Sequence, residues 1–150
     1  MTETIRHYVE LRFSGCTFLL PNVPNLLVEP YENMRVEPHG KVGAYRSVQG
    51  AHWPAFSLNA ALQPVLGVPW TRAVFLTTTG RPVGLLVEDL KLVPTDSLRL
   101  EPYMPLGPQP LGSVHVFDKA AMHARGLTLV FSPSGLAAYL LAQENTDDGH

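Results

Sequence analysis

Chemistry in this 150-residue chain would have to come from a few places. His115, Asp118 and His123 are metal-ligating or acid–base types close in sequence, and on two arms of a hairpin they would converge as a metal site or a catalytic centre. Their spacing matches no tight ligand motif, and His7, His39, His52 and His150 are scattered. The preferred reading is therefore surface and turn histidines without a metal, with the His115/Asp118/His123 centre as the alternative. Glu88 and Asp89 are adjacent; neighbours in a strand point to opposite faces, so they form no acid–base pair without a bulge. Cys16 stands beside Phe18 in a β-favouring run and reads as a small buried hydrophobe rather than a nucleophile. There is no Gly-x-Ser-x-Gly elbow and no His-Glu-x-x-His. Gly80 to Gly84 lacks the continuation of a phosphate loop. No catalytic residue and no cofactor is expected. What remains is a polar tip at Gln49, Gly50 and His52 beside aromatic residues, and Trp53 and Trp70, at least one of them for the core.

The elements that position these residues follow from composition. Hydrophobic content of 45% and charged content of 16% are those of a folded protein. The length fits one domain spanning 1–150, or two small subdomains sharing a core. Fourteen prolines and twelve glycines favour short strands and turns over long helices. A net charge of -2 lacks the basic footprint of nucleic-acid binding. No run reaches the roughly 20 apolar residues that span a bilayer, the N-terminus has no signal-peptide pattern, and one cysteine fits a reducing compartment. The expectation is a cytoplasmic protein without membrane insertion.

The segment Thr71 to Val93 organises the rest. Arg72–Thr77 and Val83–Val87 read as strands around a Thr79-Gly80-Arg81-Pro82 turn. Gly84 marks close backbone approach or positive φ inside a strand. Glu88–Val93 continues extended, so the second arm is too long for one sheet. Tyr8–Phe13 and Cys16–Leu20 form a hairpin about Ser14-Gly15; Ala44–Val48 and Ala51–Phe56 form another about Gln49-Gly50. Pro54 predicts an edge position for its arm. Leu26-Leu27-Val28 reads as an apolar patch under a loop, and 31–42 mainly as loop. Ser57–Leu62 reads as a helical turn capped by Ser57. Strands are expected at Ser97–Leu100, Gly112–Phe117 and Leu127–Phe131, the last buried on both faces. Ser132-Pro133 starts a helix to about Gln143 with Leu136, Tyr139 and Leu140 on one face, followed by a frayed acidic tail at about 144–150. Each half weakly repeats paired strands, a proline-rich crossing and a final strand leading to a helical segment. Small β-barrels close such edges.

Two stretches carry a resemblance. Gln49-Gly50-Ala51-His52-Trp53-Pro54-Ala55-Phe56-Ser57-Leu58 is similar to a pattern of Arg-Gly, three residues, then Pro-Val-Ile-Asp-Leu. Gly84-Leu85-Leu86-Val87-Glu88-Asp89-Leu90 is similar to Gly-Leu-Leu-Val-Asp-x-Val. Order and separation are those of the CheW-like family of chemosensory coupling scaffolds, over about Tyr8 to Leu141. The resemblance implies two intertwined five-stranded SH3-like β-barrels with a short C-terminal helix. It also implies a non-catalytic adaptor between the regulatory domain of a CheA-type histidine kinase and a chemoreceptor or another CheW-like scaffold. The pathway would be flagellar, or pili-linked and controlling twitching. Partner contacts fall on Gln49, Gly50, His52 and Ser57, while Pro54, Leu58, Gly84 and Val87 serve the fold. Gln49 and Ser57 replace the family's Arg and Asp, which predicts retained kinase binding and weak or unusual receptor engagement.

Overall fold

The computed structural model describes residues 6–38, 40–77, 81–102, 116–123 and 126–147, with backbone alone at 123 and 144–147. The strands are β1 (His7–Phe13), β2 (Cys16–Pro21), β3 (Leu26–Pro30), β4 (Ala44–Val48), β5 (Ala51–Leu58), β6 (Pro64–Val65), β7 (Arg72–Leu76), β8 (Val83–Val87), β9 (Asp89–Pro94), β10 (Arg99–Pro102), β11 (Phe117–His123) and β12 (Gly126–Phe131). One helix follows, α1 (Pro133–Asp147), and short 3₁₀ turns occupy Tyr31–Asn33 and Thr95–Ser97.

The strands form two sheets. The first has the order β10-β11-β12-β2-β1-β9, and the second β3-β7-β8-β5-β4 with β6 on β5. Among the described residues each holds six strands, one more than the expected five. The first two and last four strands share the first sheet, and the chain between them builds the second, which interlocks the two halves. Residues 83–94 make the crossing: β8 lies between β7 and β5, β9 pairs with β1, and only Glu88 separates them. The turn is fixed by backbone, since Glu88 N–H donates to Arg12 O at 2.8 Å and the Thr71 hydroxyl donates to Glu88 O at 2.7 Å.

Both sheets curl. Laid flat, the edges of the first sheet would lie about 24 Å apart, at about 4.8 Å per strand spacing. Yet its edge strands β9 and β10 are joined by 95–98 alone, which spans about 17 Å at most when extended and is shortened by a Leu98 N–H to Thr95 O bond of 3.0 Å. The edges of the second sheet are held together by side chains: Arg46 Nε on β4 reaches Glu29 Oε2 on β3 at 3.0 Å. Arg35, just past the 3₁₀ turn that follows β3, also pairs with Tyr45 of β4, through N–O distances of 2.7 and 2.9 Å.

Apolar residues fill three regions. A shared core joins Val9, Leu11 and Phe18 of the first sheet to Phe56, Leu76 and Leu85 of the second and Leu136 and Leu140 of α1. A smaller cluster around Phe75 and Leu86 belongs to the second sheet, and one around Tyr8 and Val130 to the first. Helix α1 begins as its sequence dictates, with the Gly135 N–H donating to Ser132 Oγ at 3.2 Å and Pro133 as the first helical residue.

Several expectations are corrected. Leu26–Val28 is strand, not a covered patch; β3 pairs with β7 and leaves Leu27 and Val28 exposed. Pro54 sits in an interior strand, tolerated because the parallel ladder to β8 starts one residue later, at Ala55. Ser57 and Leu58 complete β5 instead of opening a helical turn; the turn after it is capped by Asn59, whose side-chain oxygen accepts from Ala61 N–H and Gln63 N–H. β12 is buried at Val130 and Phe131 but exposes Leu127. β11 starts at Phe117, with 112–115 outside the described residues, as are 78–80 of the central turn. Helix α1 continues to Asp147, past the expected end at Gln143.

Candidate functional site

The hairpin tip is built by two left-handed residues, Gln49 at φ 48° and Gly50 at φ 84°, the geometry of a two-residue turn that matches the twist of the strands on either side. A Cβ at Gly50 would touch nothing, so φ and not space calls for glycine. Gln49, Gly50, Ala51 and His52 are exposed. On one face His52 Nδ1 lies 3.3 Å from Ser47 Oγ, and its ring meets Tyr45 edge-on at 5.8 Å. Beside them opens a recess of about 450 Å³ lined by Arg35, Glu37, Pro38, Tyr45 and His52. Arg35 and Glu37 pair across it at 3.1 Å. Sequence reasoning missed these two charges, because 31–42 has no periodicity and only the bridge to Tyr45 brings it to the hairpin.

Ser57 lies elsewhere. It is 4% exposed in β5 and joins Gly43 and Leu86 in a second groove of about 420 Å³, alongside Tyr31, Leu66 and Trp70. The Tyr31 and Trp70 rings approach to 4.5 Å. The structure therefore brings Gln49, Gly50 and His52 together and separates Ser57 from them. Pro54, Leu58, Gly84 and Val87 are all buried. Gly84 shows the expected close approach: a Cβ there would stand 2.8 Å from the Phe75 ring. Trp53 packs against the same ring at 5.6 Å.

The alternative centre gains nothing from the fold. Asp118 is exposed at a register shift of β11, His115 falls outside the described residues, and His123 is described by backbone alone. Among the described residues no three His, Cys, Asp or Glu side chains are grouped to hold a metal. Cys16 is half-buried against the shared core. Burial pushes the Tyr139 phenol up from its ordinary value, but its hydroxyl donates to the Leu62 carbonyl inside the core, a structural role. No helix among the described residues is long and apolar enough to cross a membrane.

This fold has a counterpart among solved structures. The scaffolding protein TtCheW from Thermoanaerobacter tengcongensis is similar with a TM-score of 0.59, over 86% of this chain and 90% of that one. The fold is CheW-like. Sequence identity is 13%, so the likeness concerns architecture. No family model matches the sequence, and no curated protein matches it. The CheW-like frame comprises two SH3-like halves on a shared core, with the Gln49-Gly50 tip and the Tyr31/Trp70 groove both on the half built by the second sheet.

Proposed function

We propose that this chain is a non-catalytic adaptor of a bacterial chemosensory pathway, binding the regulatory domain of a CheA-type histidine kinase and a chemoreceptor or another CheW-like scaffold. The observation that carries the reading is the CheW-like fold, shared with a protein described as a scaffold. The exposed Gln49-Gly50-His52 tip stands where the sequence resembles the family's partner-contact motif. The mechanism is geometric: a rigid pair of barrels holds two partners in register, and no bond is made or broken. Exposed apolar side chains on both halves, Leu27, Val28 and Leu66 on one and Leu92, Met122 and Leu127 on the other, give surface for two partners. The pathway is flagellar or pili-linked, and the protein acts in the cytoplasm.

Calorimetric titration of the purified protein against the cognate kinase regulatory domain and receptor tip tests this. Saturable binding of the kinase domain is the expected result. If neither partner binds the folded protein, the adaptor reading falls.

A further inference from the structure

We propose that Ser14 is a latch between the two sheets: its hydroxyl ties the β1–β2 turn to the turn that follows β5, so that the two turns open as one unit. The proposal goes beyond the adaptor reading and does not depend on it.

Strand β5 connects the two places concerned. It starts after the Gln49-Gly50 tip and its eight residues run about 23 Å, ending at Leu58, which is fully buried. Among the described residues three non-glycine positions have a left-handed φ, and each stands at an end of this strand. Gln49 makes the tip, and Leu62, at φ 62°, lies in the turn after β5. Ser14, at φ 50°, belongs to the hairpin of the first sheet, yet its Oγ donates to Leu58 O at 2.7 Å.

The register explains why that carbonyl calls for a donor from outside its own sheet. Asn59 N–H bonds to Gln63 O at 2.9 Å, so in the antiparallel ladder with β6 the neighbouring Leu58 points its carbonyl away from β6. On the other side the parallel ladder to β8 pairs Ala55 with Gly84 and Phe56 with Leu85, and goes no further. Leaving a buried carbonyl without a donor costs more than the bond itself contributes. Ser14 supplies the donor, although its φ suits glycine better. The same turn is gripped a second time, where the Tyr139 hydroxyl of α1 donates to Leu62 O. A strained left-handed residue persists only where its surroundings hold it, and here two hydrogen bonds from distant elements do so.

Ser14→Gly removes the hydroxyl and keeps the turn, because glycine adopts φ 50° freely. Native-state amide exchange of ¹⁵N-labelled protein is read at Phe13 and Cys16, paired across the β1–β2 turn. It is read also at Ala61, Leu62 and Gln63, whose amides bond within the turn after β5. In the native protein the two groups should share one dependence on denaturant, the mark of a single opening unit. In Ser14→Gly the amides of 61–63 should exchange about five- to tenfold faster, although the substitution lies in the other sheet, and the two dependences should separate. Ala121, in the middle of β11, should keep its rate and so report an intact fold. Tyr139→Phe runs the test in reverse: it should speed exchange at Phe13 and Cys16 several-fold, and lose that effect when combined with Ser14→Gly. The latch is overturned if Ser14→Gly alters only the β1–β2 turn or no amide at all. It is overturned too if every amide speeds up alike, as from lost global stability, or if the Tyr139→Phe effect survives without the Ser14 hydroxyl.

Discussion

A methyl group at position 84 would stand 2.8 Å from Cε1 of Phe75 and 3.1 Å from Cβ of Ala55. Phe75 is fully buried and cannot swing away, so enlargement must push strands β7 and β8 apart. Gly84→Val should destabilise the protein by about 1–3 kcal/mol, the usual range for overpacking a core, seen as a lower urea midpoint at unchanged slope. An unaltered midpoint would sink the argument. Tyr139 is the second residue whose role is legible atom by atom. It is 7% exposed and donates to the carbonyl of Leu62, a residue held at φ 62°. Tyr139→Phe keeps the ring and leaves that carbonyl without its donor, which costs about 1–3 kcal/mol. The pH dependence follows from burial, which raises the phenol's pKa above its unfolded value. The neutral form is the one the fold favours, so this contribution is complete below the unfolded pKa, about 10, and disappears as pH rises through the folded value. Denaturation midpoints between pH 9 and pH 12 should fall more steeply for the native protein than for Tyr139→Phe; parallel curves would contradict it.

At the scale of elements, the second sheet is closed by a contact between its own edges. Five strands laid flat would put β3 and β4 about 19 Å apart, yet Glu29 and Arg46 meet at 3.0 Å, with Asn33 Nδ2 donating to the other carboxylate oxygen at 3.0 Å. Both charged side chains are less than a third exposed, at 19% and 30%, so the pair is screened less than a surface ion pair. A double-mutant cycle over Glu29→Gln and Arg46→Met should return a coupling of about 1 kcal/mol, smaller at high salt. Coupling indistinguishable from zero would mean that the backbone, through its curvature and the Arg35–Tyr45 bridge, closes the sheet without help from this pair. The expected hairpins were all present because their signals are local: alternation within five or six residues and a turn whose residues tolerate positive φ, as at Ser14-Gly15 and Gln49-Gly50. β3 was not legible. Leu26, Leu27 and Val28 form an apolar run without alternation, and their pairing partners Leu76, Phe75 and Val74 lie about fifty residues away.

For the whole molecule, the Gln49 substitution makes the sharpest functional test. Gln lacks the fixed charge and five-donor fork of Arg. Under the proposed adaptor function, a receptor carboxylate meeting the tip would gain a neutral hydrogen bond, about half as strong as a charge-assisted one. Gln49→Arg should tighten receptor-tip binding several-fold and leave kinase-domain affinity unchanged. Equal affinities before and after would refute the charge argument without touching the fold. Gln49 already has φ 48° and an exposed side chain, so the substitution adds no new crowding. The sequence by itself determined the mainly β character, the hairpin pairs, the Ser132-Pro133 helix start and the long arm 83–94 that crosses between sheets. Each of these follows from period, turn residues or capping, which act within a few positions. Only the tertiary structure decided that Pro54 stands in an interior strand, that Ser57 is buried away from the tip, and that Arg35 and Glu37 line the recess beside His52. A pattern of apolar residues states that a side chain must be buried and says nothing of what buries it; that choice belongs to residues distant in the chain, brought together by the curling of two sheets.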